Sequence, residues 1–196
     1  MKIAIDLNDV IRAYTKNFAK VYKREYNREI DEDNLEVTTN DLSKVFHFDS
    51  DAEYRRFVYE DFPFEIFGKC ETINKQTATY FNKWMEELKN LDVDEEINVM
   101  IVSTMEYGLT IQSTYFFLSK IGCRVREIYL PTDSTTIWDR CDLLVTANPK
   151  LLKNKPEDKK VIKIETDYNR DIEGDESYGD VCDFFMDANK VLNYIN

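Results

Sequence analysis

Ile3–Val10 reads IAIDLNDV, and the fold turns on how this stretch is read. An apolar run stops at Asp6, Asn8 and Asp9 follow, and a long amphipathic segment begins at once. A buried strand carrying a carboxylate at its C-terminal end is how open α/β sheets build a site, because ligands sit in the crevice beyond the strand ends. Outward from Lys2–Leu7, four more short apolar runs have the same character: Asn98–Ser103, Val125–Leu130, Leu143–Ala147 and Val161–Ile164. None alternates strictly, as expected of parallel strands covered on both faces. Helical patterns at Leu109–Ile121, Ser134–Arg140 (with a Ser or Thr cap) and Lys150–Lys153 lie between the later runs. The expectation is an α/β fold with a doubly wound, parallel, five-stranded sheet.

Ninety residues separate Leu7 from Asn98, far more than one crossover helix needs. Most of that insert reads as helix: Val10–Glu29, Asp51–Asp61 starting at Ser50, and Ile73–Leu91. Residues 9–68 are expected to form a helical cap over the strand ends, with 1–8 and 69–196 as the α/β core. The polar segment Thr166–Gly179 is expected to be a loop before a terminal helix Asp180–Tyr194.

With 26 Lys+Arg against 38 Asp+Glu, the net charge is −12. Such a field repels polyanions, so a nucleic-acid polymer or an anionic membrane is not an expected partner. The four cysteines form no CxxC pair, and buried free thiols in a reducing compartment are the expected state. No leader-like segment and no apolar run of spanning length occur, so a cytoplasmic location is expected. His47 is the single histidine, which excludes a His-centred triad or a multi-histidine metal site. Neither GxGxxG nor GxxxxGK[ST] is present.

The strand ending in Asp6, the helical insertion directly after it, and strand ends at Ser103 and Ala147 together resemble the haloacid dehalogenase-like superfamily. Within it, FVYEDFPFEIF (Phe57–Phe67), MIVST (Met100–Thr104) and CDLLVTANP (Cys141–Pro149) are most similar to the 5′(3′)-deoxyribonucleotidase branch. The resemblance implies a Rossmannoid core with a cap and a magnesium-dependent phosphoryl site. It makes Asp6 the nucleophile and a metal ligand. Asn8 then stands where the family uses an Asp as general acid and base, and an amide cannot supply a proton; such a loss costs about 10²–10⁴ in rate. Asp9 is expected to point away from the pocket.

Ser103 matches the hydroxyl that bonds the transferred phosphoryl group, with Thr104 beside it. Thr136 falls in the place of the family's lysine; Lys120 and Arg140 are out of register. Thr146, Ala147 and Asn148 replace the carboxylates that hold Mg²⁺, which prefers several anionic oxygens. Asp6, Asn8, Thr146 and Asn148 are thus the candidate ligands of a site short of charge. Phe64 and Phe67 read either as a base-stacking pocket or as core. Asp6 and Asn8 also read as helix-capping residues, and Asp142 as the opening of a strand. The expected function is binding of a small phosphorylated ligand or a protein partner, with phosphatase activity lost or strongly reduced. The alternative is a working Mg²⁺-dependent phosphomonoesterase with Asp6 as nucleophile and Asp9 or a water as the acid.

Overall fold

The computed structural model describes residues 1–31 and 35–195. Six strands form one sheet: β1 (Lys2–Asp6), β2 (Asn98–Val102), β3 (Glu127–Tyr129), β4 (Leu143–Thr146), β5 (Lys160–Ile164) and β6 (Glu176–Tyr178). Every pairing is parallel and the order is β3-β2-β1-β4-β5-β6. Successive side chains of a strand point to opposite faces, and this splits the core in two. Ile3, Ile5, Ile101, Leu143, Val145 and Ile162 pack under helices α3 (Thr77–Leu88), α4 (Leu109–Lys120) and α6 (Val181–Phe185). Ala4, Met100, Val102, Leu144 and Val161 pack on the other side against Ile137, Trp138 and the short helix α5 (Pro149–Lys153). The expected parallel α/β sheet is therefore present, with six strands where five were read.

The sixth strand lies inside the expected loop Thr166–Gly179. Its three residues, Glu-Ser-Tyr, pair Ile162↔Glu176 and Ile164↔Tyr178 at the sheet edge, where partial exposure leaves no apolar signature. Gly174 makes the approach: a Cβ there would lie 2.7 Å from the Glu176 carbonyl oxygen and 2.8 Å from Lys163 Cβ. The terminal helix is also corrected. After α6, the Asp187 side chain accepts from Asn189 N–H and starts a separate 3-10 run, Ala188–Tyr194. Ser134–Ile137 is likewise a 3-10 turn, and its cap is Asp133 rather than a Ser or Thr.

A third cluster of buried residues lies over the C-terminal ends of the strands, and half of it is aromatic. Tyr14, Phe18 and Tyr22 of helix α1 (Tyr14–Tyr26) meet Phe46, Phe57 and Phe67. Helix α2 (Asp51–Arg56) starts where expected, with Ser50 Oγ accepting from Glu53 N–H at 3.2 Å, and runs on as π-helical turns at Phe57–Asp61 and Phe64–Gly68. Helix α1 begins at Tyr14 rather than Val10, and Asn27 in the left-handed conformation (φ 49°) ends it. The chain leaves the sheet and returns to it side by side: Ala13 N–H donates to the Glu71 carbonyl, Ile73 N–H to that of Ile11, and Arg12 bridges Thr72 antiparallel.

Candidate functional site

Strand order reverses between β1 and β4, and in open α/β sheets the crevice at such a point is where ligands bind. Asp6 ends β1 there, 3% exposed. Its Oδ1 accepts from Leu7 N–H at 2.8 Å and its Oδ2 from the Thr146 hydroxyl of β4 at 2.7 Å. Burial pushes the Asp6 carboxyl up to about 7; these two hydrogen bonds and Arg12 oppose the rise, and Glu106 adds to it.

The next turn is built around one carbonyl. Val10, Ile11 and Arg12 all direct their N–H groups at Leu7 O, and Asp9 takes a left-handed conformation (φ 56°). That turn drops Arg12 beneath Asn8. Asn8 Oδ1 accepts from Arg12 Nε at 3.0 Å and Nη2 at 2.7 Å, while Asn8 Nδ2 donates to Ser103 Oγ at 3.2 Å. Arg12 is fully buried and pairs with Glu106 at 2.6 Å; its Nη1 donates to Thr114 Oγ1 at 2.8 Å. Its guanidinium carbon lies 5.0 Å from the ring centre of Phe67 and 5.5 Å from that of Phe117. Both polar side-chain atoms of Asn8 are thus engaged by groups behind it.

Asp9 holds the opposite wall. Its carboxylate accepts from Thr15 N–H (2.9 Å), Thr15 Oγ1 (2.5 Å) and the Tyr168 hydroxyl (2.9 Å). Burial raises its pKa against the pull of those bonds. A cavity of about 180 Å³ opens between these groups. Asp6, Asn8, Thr104 and Asn148 line it, as do Asp9, Tyr14 and Tyr168. Asn40, Asp41 and Met105 complete the wall. A larger cavity of about 550 Å³ lies beyond Asp9 and Tyr168, which line both.

The candidate residues divide accordingly. Asp6, Asn8, Thr104 and Asn148 come together at the cavity, with Ser103 bonded behind Asn8 and Thr146 behind Asp6. Thr136 is elsewhere, bonded to the Tyr129 hydroxyl and the Asp133 carbonyl. Phe67 is core beneath Arg12, and Phe64 packs against Phe116 on the outer side of α4, so neither lines the cavity. Lys120 donates to the Cys70 carbonyl and Arg140 stacks over Tyr129. Asp9, expected to face away, lines the cavity because its left-handed backbone turns it there. Arg12 and Glu106 escaped the sequence reading, although an arginine inside the apolar run Val10-Ile11-Arg12-Ala13 is the kind of residue that is seldom fully buried unless paired. Tyr168 comes from the far side of the sheet, and no local spacing announces it.

The four candidate magnesium ligands offer that ion one carboxylate, Asp6, and neutral oxygens that are already engaged. Asn8 Oδ1 is taken twice by a cation, Thr146 donates to Asp6, and Asn148 Oδ1 caps α5 by accepting from Lys150 N–H at 2.9 Å. Asp6 is left as the single anionic oxygen source among the four, so a magnesium ion here would take most of its oxygens from water or ligand. Among the described residues, no three His, Cys, Asp or Glu side chains converge on one point. The four cysteines are free, and no helix among the described residues is long and apolar enough to cross a membrane.

No family model matches the chain, and a search of curated proteins gives no match.

Proposed function

We propose that this chain is a haloacid dehalogenase-like protein of the nucleotidase type whose strand-end crevice binds a ligand without hydrolysing it. One observation carries the reading: the residue two places after Asp6 is an amide held from behind by a buried guanidinium. A proton-transferring acid is missing there, and the environment opposes one. A carboxyl group placed at position 8 would pair with Arg12 and lose its proton, because a neighbouring cation lowers a carboxylate pKa.

The lining adds to this. It contains three aspartates and neither Lys nor Arg, so a phosphate entering alone finds no cation in the lining to hold it. Of the partners expected from the sequence, a phosphorylated small molecule therefore gains no support from the lining, and a protein partner stays outside what the cavity speaks to. Asp9 is the one acid that favours the hydrolytic alternative, being at the cavity with a raised pKa. Its oxygens, however, already accept three hydrogen bonds.

The test is phosphate release from a panel of nucleoside monophosphates with Mg²⁺, using the purified chain, Asp6→Asn, Asp9→Asn and Asn8→Asp. The expected result is no release above background by the native chain, and none gained by Asn8→Asp. Release by the native chain that disappears in Asp6→Asn overturns the proposal, and its loss in Asp9→Asn as well makes Asp9 the acid.

A further inference from the structure

Helix α4 departs from the rule that a surface helix turns charged and polar residues outward. From Tyr107 to Ser119 the chain carries no Asp, Glu, Lys or Arg, although 33% of its residues are charged. The inner side of the helix is occupied: Phe117 and Leu118 are core, and Thr114 is bonded to Arg12. The outer side is not. Of the eight large hydrophobic residues left exposed among the described residues, five gather here: Phe64, Tyr107, Leu109, Tyr115 and Phe116. Phe64 and Phe116 touch with ring centres 4.8 Å apart, so the patch spans α4 and the π-helical turn packed beside it. Leu109, Gln112 and Phe116 follow at the i, i+3, i+7 spacing of one helix face. Single exposed apolar residues are ordinary, whereas a gathered patch marks an interaction surface.

Size and charge say what covers it. The five residues are exposed by between 37% (Phe64) and 64% (Tyr107). Aromatic side chains carry about 150–250 Å² each, so with Leu109 the patch offers on the order of 400–600 Å² of apolar surface. A stable dimer covers about 800 Å² on each copy, somewhat over half of it apolar. The patch is of that size. Two molecules of this chain each carry −12 and repel one another over most approaches. The residues of this face set no charge against their own image, as a two-fold contact requires. Gln112, the polar residue in the middle, can satisfy its amide nitrogen on its own helix, at the Gly108 and Leu109 carbonyls. We infer that two copies of this chain form a dimer through the outer face of α4, about a two-fold axis near Gln112 that sets Leu109 against the partner's Phe116. None of the five residues lines the Asp6 cavity, so the dimer and the crevice are separate surfaces.

The experiment is sedimentation velocity of the full chain from about 1 to about 200 μM. A reversible monomer–dimer equilibrium with a Kd on the order of micromolar is expected. It should tighten severalfold between about 0.02 M and about 0.5 M NaCl, as salt screens the repulsion between two acidic copies. Leu109→Glu should weaken the dimer at least about tenfold. Folding is not its casualty, because a carboxylate in the first turn suits a helix N-terminus. Phe116→Glu should act in the same direction. Met186→Glu adds the same charge at an exposed apolar residue away from α4 and should leave the dimer as it is. A chain that stays monomeric at the highest concentration overturns the inference and leaves the face to another protein. Flotation of that monomer with phosphatidylcholine vesicles would assign the face to a lipid surface instead. A dimer that resists Leu109→Glu, or one that salt loosens, overturns it as well, since the copies then meet elsewhere or through ion pairs.

Discussion

The floor of the cavity has two halves that treat charge in opposite ways. On the Asp6 side a carboxyl is buried with only neutral groups in contact, a backbone N–H and a threonine hydroxyl, and its pKa climbs to about 7. On the Asn8 side the functional group facing the cavity is neutral, while a full ion pair, Arg12–Glu106, sits behind it with both side chains at 0% exposure. The Arg12 cation is thus neutralised inside the scaffold and does not line the cavity. A site of this kind keeps its shape through electrostatics that it cannot lend to a ligand.

The contrast is most directly broken on the charged side. Arg12→Met leaves Glu106 buried and uncompensated, and urea unfolding should show a loss of about 3–5 kcal/mol. Arg12→Met combined with Glu106→Gln should lose less than Arg12→Met alone, because no charge is then stranded. A double variant no more stable than the single one would mean that Glu106 is not the group suffering.

On the neutral side the expected effect follows from proton binding. Folded Asp6 keeps its proton to about pH 7, whereas the unfolded carboxyl releases it near 3.8. Between those values the native state holds more protons, so Asp6 makes stability fall as pH rises through this window. Asp6→Asn removes that slope. Relative to the native chain the variant should gain on the order of 2–4 kcal/mol between pH 3 and pH 8, measured by urea unfolding at both pH values. A gain that is the same at both would place the raised pKa elsewhere.

Two milder substitutions sharpen the comparison. A Cβ at Gly68 would lie 2.7 Å from the Phe64 ring and 3.3 Å from the Ser113 carbonyl, next to Thr114. Gly68→Ala should therefore cost about 1–3 kcal/mol by overpacking against α4. It should leave the pH dependence due to Asp6 unchanged. Ser50→Ala removes only the cap of α2, remote from both halves. About 1 kcal/mol is expected from thermal or urea unfolding, again with the native pH slope.

How far the sequence could be read follows the same physics. β1, β2, β4 and β5 are legible to within a residue at each end, because burial on both faces leaves a near-continuous apolar run, broken in β5 by Lys163. β6 was missed because an edge strand of Glu-Ser-Tyr leaves no such trace. The start of α1 was misplaced by the amphipathic appearance of Val10–Ala13, whose N–H groups in fact converge on Leu7 O. Asp6 was legible from its strand-end position. Thr136 is drawn toward the site by register and Phe64 and Phe67 by their resemblance to cap aromatics; Thr136 lies elsewhere, Phe67 is core and Phe64 packs on Phe116. Tyr168 and Asp41 reach the cavity through tertiary packing of distant segments, for which a single sequence carries no spacing rule.

The paired exit and return at Arg12 and Thr72 have a mechanical meaning. For the aromatic layer to swing away from the sheet, two main-chain hydrogen bonds must break and Arg12 must be pulled from Glu106, so this junction makes a poor pivot. Exposed Asn40 and half-buried Asp41 line the crevice from the other layer.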